Sequence, residues 1–522
     1  MKITLTLLLF LLLQPCANGQ QQWGDWQRWG EQADGTYRNP IIPSDYSDLD
    51  CIRVGKDYYA ISSTMQYSPG MTVLHSRDLV NWEIAGNAVP DLTVISPQLN
   101  WDKMNRYGRG IWAGTLRHHQ GRFYLYFGTP DEGYFMTTSR KAEGPWRPLT
   151  CLMPEAGWDD CTVFWDDDGK AYFLGTQFSD GYKTYLFDMS TDGCSIDRQS
   201  ARLVNDGNGR EASKIVKHGD YYYIIFSEYR GRGRYVMGKR DKSMRGNFEE
   251  EKQLLRDNVD EHEPNQGGIV LGPDGKWYFL THHGNGDWSG RVVSLLPVTW
   301  KDGWPMMGDL SEGGLGKMVW QAPMPKRGGR RLSLQRSDDF SGRVLQPQWQ
   351  WNYQPRRDMY SLSERRGWMR LYAFRPIETD RLLKAGNTLT QRSFRNGRNV
   401  VTVKMDISHM AEGQKAGLCH MAEHSGGVGV SCRNGQIRLE TRQDDSIAEG
   451  AQIASAILWL RSEWSLDGHS RFSYSTDGLT YHHLSDYTLS WGFYRGDRIG
   501  IYNFNNISDA GFVDIDYLHY DF

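Results

Sequence analysis

The chain has 522 residues and carries 60 Lys and Arg against 63 Asp and Glu, which gives a formal net charge of −3. This balance argues against a nucleic-acid-binding protein, which would need a basic face. A mean hydropathy of −0.62 excludes a polytopic membrane protein, and 13% aromatic residues exclude a disordered chain. The 57 Gly, 20 Trp and 28 Tyr indicate short aromatic strands joined by tight turns.

The first 19 residues have the features of a secretory signal peptide. Lys2 precedes an apolar stretch over residues 3–13, which is too short to span a bilayer, and residues 17–19 offer a small-residue cleavage site. A retained anchor and a lipoprotein attached through Cys16 are the alternatives. We therefore expect a protein that is secreted across the inner membrane and resides in the periplasm.

The other six cysteines are too few for a disulfide framework in a chain of this length. We expect mostly buried thiols. Cys419 and Cys432 stand 13 residues apart and are the one pair that a hairpin would bring together. No cysteine or histidine spacing indicates a zinc site.

One pattern recurs five times in the first three hundred residues: an apolar strand, a turn with glycine and an aromatic-rich strand. Each instance predicts a β-hairpin. The intervals between the turns, 66, 48, 50 and 56 residues, suit units of four short strands. The sequence thus predicts an all-β protein in which residues 20–325 form a five-bladed β-propeller, with an open sandwich as the alternative. The turn glycines are Gly55, Gly121, Gly169, Gly219 and Gly275.

The chain changes character after the repeats. Residues 326–336 are rich in Gly and Arg and predict a linker. From residue 337 to 522 the alternation of apolar and polar residues resumes without the repeat, for example over 400–406 and 472–475. This pattern predicts a second domain, a β-sandwich of the jelly-roll or concanavalin-like type.

Five residues occupy one structural position of the repeat, 7 to 9 residues before the turn glycine. In a propeller the first strand of each blade lines the central channel, so these side chains should converge. Three carboxyl groups at one place repel one another, which a core selected for stability alone would avoid. The five are Asp48, Trp112, Asp160, Glu211 and Gln266.

Two carboxyl groups beside an aromatic wall can hydrolyse a glycosidic bond. One must be ionised to activate water, and another must be protonated to give its proton to the leaving oxygen. The third raises the pKa of the acid through its negative charge. Because separate blades leave room for a water molecule between the base and the sugar, inversion of the anomeric centre is favoured.

The segments around these positions resemble the motifs of glycoside hydrolase family 43. The resemblance implies Asp48 as general base, Glu211 as general acid and Asp160 as the residue that modulates the pKa of the acid. Ser47 and Leu49 stand where the family usually has proline, which departs from its pattern. The segments that carry the likeness are 39–48, 75–82, 111–113, 160–169 and 211–214.

The repeat positions of Trp112 and Gln266, and the likeness of Arg291 to the family's last-blade arginine, indicate how a sugar is held. Trp112 would form a wall of the pocket, although Gly114 stands where proline is common in the family. Gln266 and Arg291 would position sugar hydroxyls or Asp160. The C-terminal part is similar to the sandwich of one branch of the family, which implies that it packs on the propeller and lends a loop to the active-site rim.

The implied activity is exo-acting, inverting removal of α-L-arabinofuranosyl residues from the non-reducing ends of plant hemicellulose side chains. The alternatives are a β-D-xylosidase or a dual activity, and, more remotely, a noncatalytic sugar-binding propeller. A sialidase-like propeller would need an arginine cluster that the blade positions lack. We expect a plant-polysaccharide-derived oligosaccharide as the substrate, no nucleic-acid partner and a monomer.

No cofactor is required by this chemistry, and we predict no metal site. The three aspartates at 166–168 could bind calcium, although Asp-Asp-Gly turns between strands are common. Some relatives carry a structural calcium in the sandwich, for which Asp338, Asp339 and Asp514 are the candidates here. The adjacent histidines at 282 and 283 point to opposite faces of a strand, so they do not chelate as a pair.

Overall fold

The computed structural model describes residues 27–207, 209–231, 233–256, 265–284 and 287–522. The predicted signal peptide and Cys16 lie outside the described residues. Within these ranges no α-helix occurs, and none of the short 3₁₀ helices is a candidate membrane span. The predicted all-β class is confirmed.

The first part of the described chain consists of 24 strands, and most of them belong to four-stranded antiparallel sheets. In chain order they are β1 (Gly30–Glu31), β2 (Thr36–Arg38), β3 (Asp50–Val54), β4 (Asp57–Ser62), β5 (Tyr67–Ser68), β6 (Gly70–Ser76), β7 (Trp82–Val89), β8 (Gly114–His119), β9 (Arg122–Thr129), β10 (Gly133–Ser139), β11 (Thr150–Met153), β12 (Trp158–Trp165), β13 (Ala171–Gln177), β14 (Lys183–Met189), β15 (Ile196–Asn205), β16 (Glu211–His218), β17 (Tyr221–Tyr229), β18 (Arg234–Asp241), β19 (Glu250–Gln253), β20 (Gly267–Leu271), β21 (Trp277–His283), β22 (Val292–Lys301), β23 (Trp304–Met307) and β24 (Gln321–Pro323).

Five sheets of four strands follow one another along the described chain. They are β3-β4-β6-β7, β8 to β11, β12 to β15, β16 to β19 and β20 to β23. The first strand of each sheet contacts the first strand of the next, and β20 contacts β3. The sheets therefore form a closed, propeller-type ring whose first strands line the axis. Strands β1, β2 and β24 form a separate sheet that joins the two ends of this unit.

The turn glycines of the repeat lie between the first and second strand of each sheet. All five have a positive φ, between 58° for Gly219 and 83° for Gly169, a conformation that glycine adopts without strain. The predicted hairpins are confirmed.

The rest of the chain forms two larger antiparallel sheets that face each other. Their strands are β25 (Gln350–Asn352), β26 (Tyr360–Ser361), β27 (Met369–Tyr372), β28 (Leu389–Arg392), β29 (Asn399–Asp406), β30 (Gln414–Met421), β31 (Ser425–Arg433), β32 (Gln436–Gln443), β33 (Ser446–Gln452), β34 (Ile457–Trp464), β35 (His469–Ser475), β36 (His482–Thr488), β37 (Arg498–Asn505) and β38 (Phe512–Asp521), joined by β5 of the first unit. The eight-stranded sheet has the order β33-β32-β31-β30-β37-β28-β25-β5, and the seven-stranded sheet has the order β26-β27-β38-β29-β34-β35-β36. The predicted sandwich is confirmed.

The only helices in the described ranges are short 3₁₀ helices in the connections between strands. They are Leu92–Val94, Pro97–Leu99, Phe178–Asp180, Arg357–Met359 and Leu382–Lys384.

The sandwich packs on the propeller-type unit, as the resemblance implied. Strand β5 of the first unit pairs with β25 of the second, with Ser68 opposite Trp351. Buried polar side chains add to the contact: Arg392 Nε donates to the Asp45 carbonyl oxygen at 2.7 Å, and Gln350 Nε2 donates to that of Pro69 at 2.9 Å. Since such buried donors are costly to leave without partners, the two units depend on each other at this face.

The six cysteines of the described ranges are all unpaired, and four of them are buried. The disulfide considered between Cys419 and Cys432 is wrong, because Cys419 lies opposite Gly427 and Cys432 lies opposite Ile437 in the β-ladder. The expectation of mostly buried thiols is confirmed.

Candidate active site

All six residues predicted for the site line one cavity of about 380 Å³ at the leading ends of the first strands. Asp48 and Gln266 stand just before β3 and β20, Trp112 just before β8, and Glu211 is the first residue of β16. Asp160 lies inside β12, and Arg291 precedes β22. The repeat position of the sequence thus corresponds to one place in the structure.

Local backbone irregularities aim the carboxyl groups inward. The pairing of β12 with β13 shifts between Asp159 and Cys161, and that of β16 with β17 shifts between Glu211 and Lys214. Such bulges re-aim side chains next to active sites. Asp48 and Asp160 have φ values of 59° and 43°, an uncommon conformation for residues other than glycine.

Asp48 is buried and ionised. Arg291 contacts both of its oxygens, with Nη1–Oδ1 at 2.7 Å and Nη2–Oδ2 at 3.1 Å, and the Ser63 hydroxyl donates to Oδ2. Burial alone would raise the pKa of Asp48, but Arg291 and these hydrogen bonds outweigh it and lower the pKa to about 2. Arg291 therefore contacts Asp48 rather than Asp160.

His282 fixes the backbone at Asp48. Its Nδ1 accepts a hydrogen bond of 2.7 Å from the Asp48 N–H, which places the ring proton on Nε2. Burial, together with the charge of Arg291, lowers the pKa of His282 to about 3, so the ring is neutral near pH 7.

Asp160 accepts a hydrogen bond at each of its carboxyl oxygens, from residues at the leading ends of the next two sheets along the chain. Its Oδ2 accepts from the Ala212 N–H at 2.8 Å, and its Oδ1 accepts from Gln266 Nε2 at 2.9 Å. Burial raises the pKa of Asp160, and the charge of Asp48 adds to this effect, while the Ala212 N–H and Lys214 oppose it.

Glu211 is suited to give up a proton. Burial raises its pKa to about 7, and the negative charges of Asp160 and Asp48 contribute in the same direction. Arg234, whose Nη2 lies 2.5 Å from Glu211 Oε1, opposes this rise. One cavity thus contains a carboxylate that stays ionised and a carboxyl group that holds its proton up to about neutral pH.

Aromatic side chains form the walls and the rim. The Trp112 indole donates to the Gly108 carbonyl at 2.9 Å and packs against Phe178, with ring centroids 5.8 Å apart. Trp491 and Tyr494 reach the cavity from the sandwich. The predicted contribution of the second domain to the rim is confirmed.

Several site residues were missed in the sequence analysis. Arg234 begins a third strand, and Ser63 follows a second strand, so neither stands at the repeat position. Asp159 lines the cavity beside Asp160, and burial raises its pKa. The alternation of arginine and glycine over residues 230–234 was the one available signal for Arg234, because a partly buried acid favours a cationic neighbour.

The aspartates considered for calcium have protein partners. Asp338 accepts from the Phe340 N–H and the Trp349 indole, and Asp514 is paired with Arg365 and Arg370. In the part of the chain that the structure describes, no group of three or more His, Cys, Asp or Glu side chains is arranged to hold a metal ion.

Comparison with known proteins gives consistent matches along the chain. The family description "Glycosyl hydrolases family 43" matches residues 37–305, and "Beta xylosidase C-terminal Concanavalin A-like domain" matches residues 337–521. A beta-xylosidase of Formosa agariphila is 31% identical over 547 aligned residues, which span 95% of this chain and 92% of that protein. A non-reducing end alpha-L-arabinofuranosidase of Bacteroides ovatus is 32% identical over 67% of each chain. The solved structure of a bifunctional GH43-CE protein of Bacteroides eggerthii superposes with a TM-score of 0.82 at 30% identity, and covers 93% of this chain and 63% of that longer one.

Proposed function

Because the chain belongs to glycoside hydrolase family 43, we propose that it removes one pentose from the non-reducing end of a hemicellulose-derived oligosaccharide, with inversion of the anomeric centre. The observation that carries this proposal is the pairing of an ionised Asp48 with a protonated Glu211 in one cavity. Hydrolysis by inversion needs both states at once.

In the proposed mechanism, Asp48 accepts a proton from a water molecule as the water oxygen bonds to the anomeric carbon. The bond from that carbon to the leaving oxygen breaks, and Glu211 gives its proton to this oxygen. Glu211 ends the step ionised and Asp48 ends it protonated, so the two exchange protons with solvent before the next turnover. General acid–base catalysis of this kind contributes roughly 10²–10⁴-fold.

Asp160 supports the acid rather than reacting with the sugar. Both of its oxygens already accept hydrogen bonds, from Ala212 and Gln266. Burial of Glu211 raises the pKa of that carboxyl group to about 7, and the charges of Asp160 and Asp48 contribute in the same direction. Trp112 offers a ring face to the sugar, a common mode of carbohydrate binding by aromatic residues.

We propose β-D-xylose as the first candidate sugar, which reverses the order of the sequence analysis. The relative from Formosa agariphila that spans 95% of this chain is named beta-xylosidase. The match to a beta-xylosidase C-terminal domain supports the same choice. α-L-Arabinofuranose is the second candidate, favoured by the Bacteroides ovatus relative that aligns over 67% of the chain.

Initial rates on 4-nitrophenyl β-D-xylopyranoside and 4-nitrophenyl α-L-arabinofuranoside distinguish the two sugars. We expect the xyloside to react faster and the Asp48→Asn variant, purified in parallel, to react with neither. A faster arabinofuranoside would reverse the assignment, and equal activity of Asp48→Asn would reject the site. Proton NMR of the first product anomer tests inversion, because a retained configuration excludes single displacement.

A further inference from the structure

A tight turn of the sandwich, residues 492–495, lies against the propeller-type unit at the cavity. Gly492 and Arg495 exchange two backbone hydrogen bonds of 3.0 Å each. The central residues, Phe493 and Tyr494, have φ values of 50° and 60°, which makes this a type I′ turn. Such turns favour Asn and Gly, so two bulky aromatic residues there are strained. Strained backbone persists where the surrounding structure holds it, and often at functional sites.

The turn contacts both side chains that hold Asp48. The Tyr494 carbonyl oxygen accepts from Arg291 Nε at 3.2 Å, and Arg291 binds both Asp48 oxygens. On the other side, Arg495 Nη1 donates to Ser63 Oγ at 3.2 Å, and the Ser63 hydroxyl donates to Asp48 Oδ2. Each partner of the Asp48 carboxylate is therefore itself bonded to the second unit.

The docking at this point is close and buried. A Cβ atom on Gly290 would lie 2.7 Å from the Gly496 nitrogen, so glycine is needed beside Arg291. Arg495 is 2% exposed, and its Nε lies 3.1 Å from Asp45 Oδ2. Arg495 is therefore a buried cation that is paired with the buried carboxylate of Asp45.

We propose that Arg495 is a positioning residue for Asp48, acting through Ser63, so that a turn of the C-terminal sandwich completes the environment of the general base. The inference rests on the proposed function for the role of Asp48 as base. A guanidinium that donates to the Ser63 hydroxyl polarises it and makes it a stronger donor to the carboxylate.

Other charges also act on Asp48, and they define what Arg495 adds. Arg291 is its direct cationic partner, His282 is neutral, and Asp160 and Glu211 face the same cavity as carboxyl groups. Arg495 supplies a second positive charge, partly balanced by Asp45. Its removal should therefore weaken the preference for the ionised base without abolishing it.

The kinetic test begins with four single variants of the full chain. Arg495→Met removes the charge and the hydrogen bonds, Arg495→Lys restores the charge, and Ser63→Ala breaks the relay from the propeller side. The matched control is Arg498→Met, because Arg498 is equally buried at the same interface but bonds to Thr390 and Gln350.

We expect Arg495→Met to lower kcat about tenfold with a much smaller change in KM, and to raise the pH at which kcat/KM falls on the acid side by about one unit. Arg495→Lys should recover most of the acid-side shift. Ser63→Ala should shift the acid side of kcat/KM as Arg495→Met does. The double variant Ser63→Ala/Arg495→Met should shift it little further than either single variant. The Arg498→Met control should lose thermal stability and keep the pH profile of the wild type.

A double-mutant cycle of thermal stability tests the coupling between Arg495 and Asp48 without measuring activity. If Arg495 supports ionised Asp48, the drop in Tm caused by Arg495→Met is smaller in an Asp48→Asn background. Additive Tm losses, or an acid-side shift equal in Arg498→Met, would overturn the inference. A wild-type chain that hydrolyses neither glycoside would reject the proposed function, while the Tm cycle would still decide the role of Arg495.

Discussion

The Asp160 carboxylate accepts a hydrogen bond of 2.8 Å from the backbone N–H of Ala212, the residue that follows Glu211. Ala212 has a φ of 64°, so this bond helps to hold the strained bulge at the start of β16. Asp160 therefore acts on Glu211 in two ways, by its charge and by holding the backbone that carries the acid.

The two effects separate in an Asp160→Asn variant. Asparagine keeps an oxygen for the Ala212 N–H but loses the charge, so the pKa of Glu211 should fall from about 7. We expect the alkaline limb of kcat/KM to move to lower pH by about one unit. Asp160→Ala should lose activity further at every pH. If the alkaline limb of kcat/KM is unchanged in Asp160→Asn, the charge of Asp160 does not raise the pKa of Glu211.

Removal of the acid should matter most for poor leaving groups. Glu211→Ala is expected to lose roughly 10²–10⁴-fold in kcat/KM on xylobiose. The loss should be much smaller on a 2,4-dinitrophenyl glycoside, whose leaving group departs without a proton. Equal losses on both substrates would remove Glu211 from this role.

The raised pKa of Glu211 has a consequence for stability. Folded Glu211 holds its proton up to about pH 7, whereas the ordinary value is 4.5, so the folded state binds more protons between these values. Stability contributed by this group therefore falls as pH rises through that window. We expect the Tm of Glu211→Gln, relative to the wild type, to be more favourable at pH 8 than at pH 5. A difference in Tm that is independent of pH would argue against the raised pKa.

Loss of the aromatic wall should weaken substrate binding. Trp112→Ala removes a ring that lines the cavity and packs on Phe178. We expect KM to rise about tenfold, in line with the contribution of one aromatic contact. Trp112→Phe keeps a ring and serves as the control. If the two variants have the same KM, stacking on Trp112 is not part of substrate binding.

The propeller-type unit should not function by itself. A chain that ends at Arg336 loses the partner strand of β5 and uncovers the face that contacts Gln350 and Arg392. We expect it to aggregate or to lose activity by at least tenfold. A soluble, truncated chain with unchanged kcat/KM would refute the dependence.

The repeat carried much of the site prediction because a hairpin turn with positive φ has a strong sequence signature. Counting back from Gly169 or Gly219 reaches the start of the first strand, which is where Asp160 and Glu211 lie. The all-β class follows from the same glycines and from the alternation of apolar and polar residues after residue 337.

Contacts between distant strands could not be predicted in this way. Arg234 reaches Glu211 only because β18 and β16 share a sheet, and Ser63 reaches Asp48 across β3 and β4. Arg291 was placed in the site by resemblance, yet its contact with Asp48 depends on the closure of the ring. The proposed preference for one pentose over another depends on where the cavity contacts the sugar hydroxyls, which no local pattern of the sequence predicts.

The shared sheet has a consequence for how this architecture can be recombined. Residues 67–68 complete the edge of a sheet whose other strands begin only at Gln350. A sandwich grafted onto a different propeller would lack the partner strand that β5 provides. The backbone N–H and C=O groups along that edge of β25 would then have no hydrogen-bond partners. No single crossover point in the sequence therefore separates the two units. A recombination event that exchanges the sandwich must also exchange the propeller segment that pairs with it.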